Sequence, residues 1–262
     1  MSEWKNRMYS FVDTKNSNLL FNEWLPSSAM SYDGLFLEKE IDGYQTLAVG
    51  GREMLSVDFE TESMSVGSLI SKQTLPSRTI TVKYKLSDNN AEQLQFKFKK
   101  LMKLLYRVED VTIQFNDELD YFYKGRYSSA EEVAGESNSV ISSFTIFCQD
   151  PRKYTKEFIS SGKIQTELPF ETVPTKLQVT LAYDNSIEIS NGREKLSITN
   201  AQIKSGDCLE FRIKEGKLLV NGLNQTNILD LSSDFKNFTL RENDRLSCNN
   251  GKMTIYYRGV SL

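Results

Sequence analysis

Alternation of apolar and polar residues predicts a half-buried strand near the middle of the chain. Across residues 79–86, Ile80, Val82, Tyr84 and Leu86 share one parity, and mainly polar residues occupy the other. Successive side chains of a strand point to opposite faces of a sheet, so the apolar set would form one buried face.

Directly after this strand the pattern takes a helical period. Ser87 and the three residues after it are of the types that cap helices, and Asn89 stands three residues before Glu92, the spacing of a capping box. From Ala91 onward one apolar stripe recurs at helical spacing, formed by Leu94, Phe98, Leu101 and Leu105. We expect the one well-supported helix of the chain here, with its stripe packed on a sheet.

Strand patterns return after the helix. Residues 111–115 and 121–127 alternate on either side of a turn at 116–118, which predicts a hairpin. Residues 140–148 form a further strand that ends before Pro151. Upstream, residues 60–75 are small, polar and poorly periodic, and we interpret them as an extended hairpin that crosses solvent.

The second half of the chain contains only strand patterns. Turn signals such as Asn191-Gly192, Asn221-Gly222 and Asn250-Gly251 separate short alternating runs. The runs cover residues 177–183, 187–189, 196–198, 209–213, 218–220, 228–231, 238–240 and 253–257. This spacing favours a β-sandwich of roughly a hundred residues. We therefore predict a mainly β protein with two domains, 1–155 and 156–262.

Composition narrows the functional classes. The 262-residue chain has no histidine, which excludes Ser-His-Asp and Cys-His catalysis and histidine-containing zinc sites. Its net charge of −3 is scattered, so nucleic-acid binding is not expected. The spacing of Cys148, Cys208 and Cys248 suits neither zinc nor a disulfide framework and favours buried small hydrophobic residues. With no apolar run at the N-terminus and none approaching about 20 residues elsewhere, we expect neither a signal peptide nor a membrane span.

Clustered acidic residues are the candidates for carboxylate chemistry. The clusters are Glu109 with Asp110, the set Asp117, Glu118 and Asp120, and Asp230 with Asp234. A glycosidase needs two carboxylates at a defined separation, but these clusters lie at predicted turns, where Asp commonly bonds the local backbone. Residues 117–120 also lack the glycine and final glutamate of an EF-hand calcium loop. We therefore predict no catalytic residue, no metal and no cofactor.

Two other features have both a structural and a functional interpretation. Gly50-Gly51 lacks the surrounding motif of a phosphate-binding loop, which favours a backbone turn. An aromatic set could stack on a sugar or belong to the core and interfaces; it comprises Tyr121, Tyr123, Tyr127, Tyr256 and Tyr257.

Several segments, in this order and spacing, resemble the phage distal tail protein family of long non-contractile tails. They are PSRTITV at 76–82, the capped helix, FNDE at 115–118, YFYKG at 121–125 and FTIFCQDPRKY at 144–154. The likeness covers most of residues 30–155. The resemblance implies an N-terminal β-sandwich with one α-helix and an extended belt hairpin, followed by a galectin-like C-terminal β-sandwich.

The resemblance also implies a function. Members of the family form a hexameric ring between the tail tube protein and the tail-associated hub or lysin protein, and many hold receptor-binding or baseplate proteins. We therefore expect a non-enzymatic structural protein of the virion, in the tail tip or baseplate, that assembles in the host cytoplasm. The belt assignment makes seven residues candidates for the ring interface: Thr61, Glu62, Met64, Val66, Leu69, Ile70 and Lys72.

Two other functional classes remain open at this point. A carbohydrate-binding adhesion module would explain the β-sandwich and the tyrosines, and a glycoside hydrolase would use paired carboxylates. Galectins bind sugar through a histidine and a stacking tryptophan, and the second half has neither, since the two tryptophans are Trp4 and Trp24. We therefore expect no galectin-type sugar site.

Overall fold

The computed structural model describes residues 25–133, 137–164, 168–199 and 202–262. The N-terminal segment and both tryptophans considered above lie outside these ranges. The fold is mainly β, as predicted. The described helices are α1 (Leu37–Glu40) and α2 (Ala91–Leu105).

The first nine strands precede residue 149. They are β1 (Met30–Tyr32), β2 (Leu35–Phe36), β3 (Tyr44–Gly50), β4 (Asp58–Ser63), β5 (Ser68–Thr74), β6 (Arg78–Ser87), β7 (Val111–Phe115), β8 (Tyr121–Ala130) and β9 (Ser139–Cys148). The others are β10 (Lys153–Ser160), β11 (Lys176–Thr180), β12 (Ile187–Ser190), β13 (Lys195–Ile198), β14 (Cys208–Arg212), β15 (Lys217–Val220), β16 (Leu223–Asn224), β17 (Ser247–Cys248) and β18 (Lys252–Ser261).

Strand β8 forms the corner of the first hydrophobic core. Its first half pairs with β7, which continues to β1 and β2, whereas its second half pairs with β9, which continues to β6 and β3. Gly125 stands where the strand changes partner, and a Cβ there would lie 2.7 Å from both Cys148 Sγ and the Phe147 carbonyl oxygen. A glycine thus permits the close approach at this corner, and the strands on both sides of it enclose one core.

Helix α2 covers this core as the sequence predicts. Leu94, Leu101 and Leu105 are buried and Phe98 packs against them. The cap differs from the predicted one: Asn90, not Asn89, is the N-cap, and its side chain accepts a hydrogen bond of 2.8 Å from the Glu92 amide. Asn90 has the extended backbone that an N-cap requires, and its oxygen satisfies an amide without an intrahelical acceptor.

The second core lies between two sheets. One has the order β16-β15-β14-β11-β18-β10, the other β13-β12-β17, and apolar residues from both share one cluster. The predicted Asn221-Gly222 turn joins β15 to β16, with φ of 49° and 82°. This is the expected sandwich of short strands.

Two predicted strands of this half are wrong. Residues 226–228 form a 3₁₀ turn, and the segment at 238–240 makes only an isolated bridge between Thr172 and Leu240. Phe238 and Leu240 are nevertheless buried. The apolar alternation at 238–240 therefore records which side chains are buried. Side chains of a loop can be buried in the same alternating pattern as those of a strand.

The two cores are joined by β10, which pairs with β8 on the side of the first core and with β18 on the side of the second. In β10, Tyr154 and Thr155 pair with Phe122 and Tyr121 of β8, and the strand pairs with β18 along most of its length. The predicted domain boundary at 155/156 falls within this strand.

The cysteines differ in exposure. Cys148 is buried as expected, and burial raises the pKa of its thiol to about 12. Cys208 and Cys248 are only partly buried, contrary to expectation, because both lie near the ends of short strands. All three are free thiols.

No helix in the described ranges is long and apolar enough to cross a membrane.

Candidate functional site: an exposed hairpin and a groove between the two cores

Strands β4 and β5 form a hairpin that stands apart from both cores. They pair with each other and with no other described strand. Every residue of the two strands is exposed. The turn closes with a hydrogen bond of 3.1 Å from the Met64 amide to the Gly67 carbonyl oxygen. Both outer edges of this two-stranded ladder therefore face solvent, and unpaired strand edges of this kind commonly pair with another chain.

The hairpin has two chemically different faces. Its register contains one bulge, opposite Glu60 and Thr61, at Ser71. Side-chain alternation then places Phe59, Thr61, Ser63, Ser68, Ile70 and Gln73 on a neutral face. It places Asp58, Glu60, Glu62, Leu69, Lys72 and Thr74 on an acidic face.

All seven sequence-predicted interface residues lie on this hairpin. Thr61 and Ile70 belong to the neutral face, whereas Glu62, Leu69 and Lys72 belong to the acidic face. Met64 and Val66 lie in the turn, where Val66 is 90% exposed. The sequence pattern missed Phe59, which is 51% exposed and directly extends the neutral face. Phe59 directly precedes residue 60, where the predicted hairpin starts, and this position in the sequence could have indicated that Phe59 belongs to the hairpin.

Arg78 fixes the foot of the hairpin although the sequence analysis did not single it out. It is only 2% exposed. Its Nε donates to the Pro151 carbonyl oxygen at 2.8 Å, and its Nη1 donates to the carbonyl oxygens of Arg52 at 2.8 Å and Gly51 at 3.2 Å. Arg78 has the same parity as Ile80 in the alternating run, and this was the signal of burial.

Gly50-Gly51 is the backbone turn that the sequence predicted, just before the hairpin. Gly51 has a φ of +86°, and a Cβ there would lie 2.2 Å from the Thr79 carbonyl oxygen. Only glycine fits a left-handed conformation this close to a neighbouring strand.

The acidic residues at 117 and 118 serve the same foot. Asp117 accepts two hydrogen bonds from Arg52, at 2.7 and 2.8 Å, and this contact raises the pKa of the arginine. Glu118 accepts from the Tyr123 hydroxyl at 2.9 Å and pairs with Lys153. Burial first, and then Glu118, raise the pKa of Tyr123. These carboxylates therefore bind cations and a phenol, which ties the loop before β4 to the β7–β8 hairpin.

Three of the other acidic candidates, Asp110, Asp230 and Asp234, also have structural partners. Asp110 pairs with Arg126 at 2.7 Å. Asp230 accepts from the Thr199 amide at 3.1 Å, and Asp234 accepts from the Lys195 amide at 3.2 Å. Within the described ranges, no group of three or more acidic or cysteine residues could hold a metal ion.

The tyrosines of the predicted aromatic set do not form one platform. Tyr123 is buried in the first core and Tyr257 in the second. Tyr127 is half-buried against Phe144, with ring centroids 6.3 Å apart. The core interpretation of these three is correct, because alternation along β8 and β18 turns them inward.

A groove of about 1010 Å³ lies between the two cores at the edge of the hairpin. Leu75, the residue after β5, lines it. We call it the interdomain groove, and its charged and aromatic lining residues are Asp110, Phe122, Lys124, Asp150, Arg152, Tyr154, Lys214 and Arg258.

Cations cover the aromatic floor of the interdomain groove. The rings of Phe122 and Tyr154 stack at 5.9 Å, and Arg258 lies 5.3 Å from the Phe122 ring centroid. Lys214 Nζ lies 5.3 Å from the Tyr154 ring centroid. Burial raises the pKa of Tyr154 to about 12, and its hydrogen bond to Asp150 acts in the same direction. Burial alone would raise the pKa of Asp150, but hydrogen bonds from Arg152 and Tyr154 hold it below its usual value.

Comparisons with known proteins find similar proteins among phage tail components. Residues 162–260 match the model of the siphovirus-type tail component C-terminal domain. The distal tail protein of Bacillus phage SPP1 is 27% identical over 224 residues, covering 79% of this chain and 85% of the relative.

A solved structure extends the likeness to the fold. The crystal structure of SPP1 Dit, described as a paradigm of the hub adsorption apparatus in phages that infect Gram-positive bacteria, superposes with a TM-score of 0.79 at 23% identity. The match covers 89% of this chain and 99% of the SPP1 chain. The chain is therefore similar to phage distal tail proteins, through the family model over residues 162–260 and through this relative over most of its length.

Proposed function

We propose that this protein is a non-enzymatic structural component of a phage tail tip, where six copies form a ring. The ring would join the tail tube protein to the tail-associated hub or lysin protein and carry receptor-binding or baseplate proteins. The relationship to a distal tail protein supports the tail-tip role.

The observation that carries the proposal is the unpartnered hairpin. A ring requires a heterologous contact, in which each copy presents one surface and receives a different one. The β4–β5 hairpin is a protruding surface with exposed Phe59 and Ile70 on one face, and it belongs to neither core. Strand edges and exposed apolar faces of this kind serve protein association.

We assign the ring contact to residues 1–155 and the outer contacts to a galectin-like domain of residues 156–262. The separate hydrophobic clusters on either side of β10 support this division. Since the second half lacks histidine and tryptophan, the isolated domain should not bind lactose saturably in calorimetry. Saturable binding would instead support a carbohydrate-binding adhesion module.

The direct test of the proposed function is the native mass of the purified protein. Six copies of the 30.0 kDa chain give a particle of about 180 kDa, measured by light scattering on a sizing column. Negative-stain images of the same peak should show annular particles. A monomer at every concentration would contradict self-assembly into a ring.

Deletion of residues 62–72 should convert the ring into folded monomers. The deletion removes most of the exposed ladder and leaves both hydrophobic clusters intact. Native mass would report assembly, and circular dichroism would report folding.

A matched pair of point variants sharpens this test. Phe59→Ser combined with Ile70→Ser should weaken association, because both apolar side chains lie on the neutral face. Leu231→Ser, at a fully exposed leucine outside the hairpin, is the control and should leave the mass unchanged. An intact ring after the deletion would rule out the hairpin as the ring contact.

A further inference from the structure

The interdomain groove carries more cationic than acidic side chains. Both of its carboxylates are already engaged, Asp110 by Arg126 and Asp150 by Arg152. Lys124 and Lys214 have no carboxylate within ion-pair distance among the described residues. Four cations, Lys124, Arg152, Lys214 and Arg258, thus line the groove together with two carboxylates, and the described residues leave the groove with an excess of positive charge.

The cations of the groove also repel one another. The pKa of Lys214 is lowered by burial and, next, by Arg152, with Arg258 and Lys124 acting in the same direction. An anion bound in the groove would relieve this repulsion, because an opposite charge favours the protonated form. Clusters of like charge in a concave site are typical of sites that bind the opposite charge.

The acidic face of the hairpin has the complementary charge. Glu60 pairs with Lys72 at 3.1 Å, whereas Asp58 and Glu62 have no cationic partner among the described residues. None of the hairpin's own strand residues lines the groove, although Leu75 at its foot does. The acidic face therefore does not fill the groove of its own chain.

We propose that the interdomain groove receives the acidic face of the hairpin of an adjacent copy of this chain. This inference rests on the proposed ring and specifies its receiving surface. Each copy then presents an acidic hairpin and a cationic groove at two different places, which is the head-to-tail arrangement that closes into a ring. The neutral face remains free to pack on apolar surface of either copy.

Charge reversal in the full-length protein tests the pairing. Lys124→Glu with Lys214→Glu, and separately Asp58→Lys with Glu62→Lys, should each weaken association about tenfold or more at 0.1 M salt, measured by analytical ultracentrifugation. Combining all four substitutions should restore most of the association, because opposite charges again face each other. Circular dichroism would verify that each variant is folded.

The control is a change of equal charge elsewhere on the first core. Lys99→Glu with Lys103→Glu, at two exposed positions of α2, should leave association within about twofold of wild type.

The outcomes separate this inference from the proposed function. If deleting residues 62–72 dissociates the ring but groove reversal does not, or if the fourfold variant is no better than either double variant, the hairpin contacts another surface and the inference is wrong. If the wild-type chain never assembles, the ring itself is contradicted before any groove variant is made.

Discussion

Arg78 shows how one side chain can position the whole hairpin. It lies at the start of β6, and its hydrogen bonds join the loop before β4 to the segment between β9 and β10. Its guanidinium lies 5.3 Å from the centroid of the Tyr123 ring. A buried arginine can satisfy several carbonyl oxygens at once because its donors are arranged in a fixed planar fork. Arg78 therefore links the hairpin foot to the start of the interdomain strand.

Replacing Arg78 by alanine should lower the free energy of unfolding by about 3 kcal/mol, measured by urea denaturation. The substitution leaves the carbonyl oxygens of Gly51, Arg52 and Pro151 without this donor and opens a cavity beside Tyr123. The control is Arg212→Ala, at a more exposed ion pair with Glu210, which should cost less than about 1 kcal/mol. Equal losses in the two variants would show that Arg78 is not a structural centre.

At the scale of elements, the start of α2 is set by one N-cap residue, whose side-chain oxygen accepts a hydrogen bond from a backbone amide. Both Asn89 and Asn90 are capping residue types, and the capping-box spacing from Glu92 pointed to the first of them. The structure selects Asn90, whose side chain accepts from the Glu92 amide, while its own amide donates to Asp88 at 2.9 Å. Adjacent asparagines can be distinguished only by backbone conformation.

Asn90→Ala should reduce the free energy of unfolding by about 1 kcal/mol, because an orphan amide at the helix start loses its acceptor. Asn89→Ala is the matched control and should change it by less than about 0.5 kcal/mol, since Asn89 contributes a carbonyl acceptor that alanine retains. Thermal and urea unfolding would both measure the difference. The reverse order of effects would assign the cap to Asn89.

For the whole molecule, β10 is the element through which the two cores act on each other. Tyr154 is 8% exposed, stacks on Phe122 of β8 and pairs with Val260 of β18. Arg152 and Lys214 lie over the same ring. This junction orients the interdomain groove relative to the hairpin.

Tyr154→Ala should uncouple the unfolding of the two cores, at a cost of about 3 kcal/mol in the stability of the junction. Hydrogen exchange followed by mass spectrometry should show β10 and the start of β8 losing protection, while β6 and β12 remain protected. Phe96→Ala, at an exposed aromatic of α2, is the control and should leave exchange unchanged. Unchanged exchange in β10 after Tyr154→Ala would contradict this role of the tyrosine.

The sequence by itself determined the features that depend on near neighbours. Strict alternation located β6 and β9, an apolar stripe located α2, and Asn-Gly signals located hairpin turns such as Asn221-Gly222. Residues 60–75 were predicted as a hairpin from their lack of a buried face, and all of β4 and β5 is exposed.

Tertiary structure alone decided the features that depend on residues far apart in the chain. It brings Arg78 to Pro151, Lys214 to Tyr154 and the foot of the hairpin to the interdomain groove. It also makes loops of the segments near Ile228 and Phe238, although their local pattern resembles that of strands. The physical reason is that the periodicity of a sequence records only which side chains are buried. The strands, charges and carbonyl oxygens that pair with one another are distant in the chain, and their pairing is decided only when the sheets pack and all buried polar groups need partners at once.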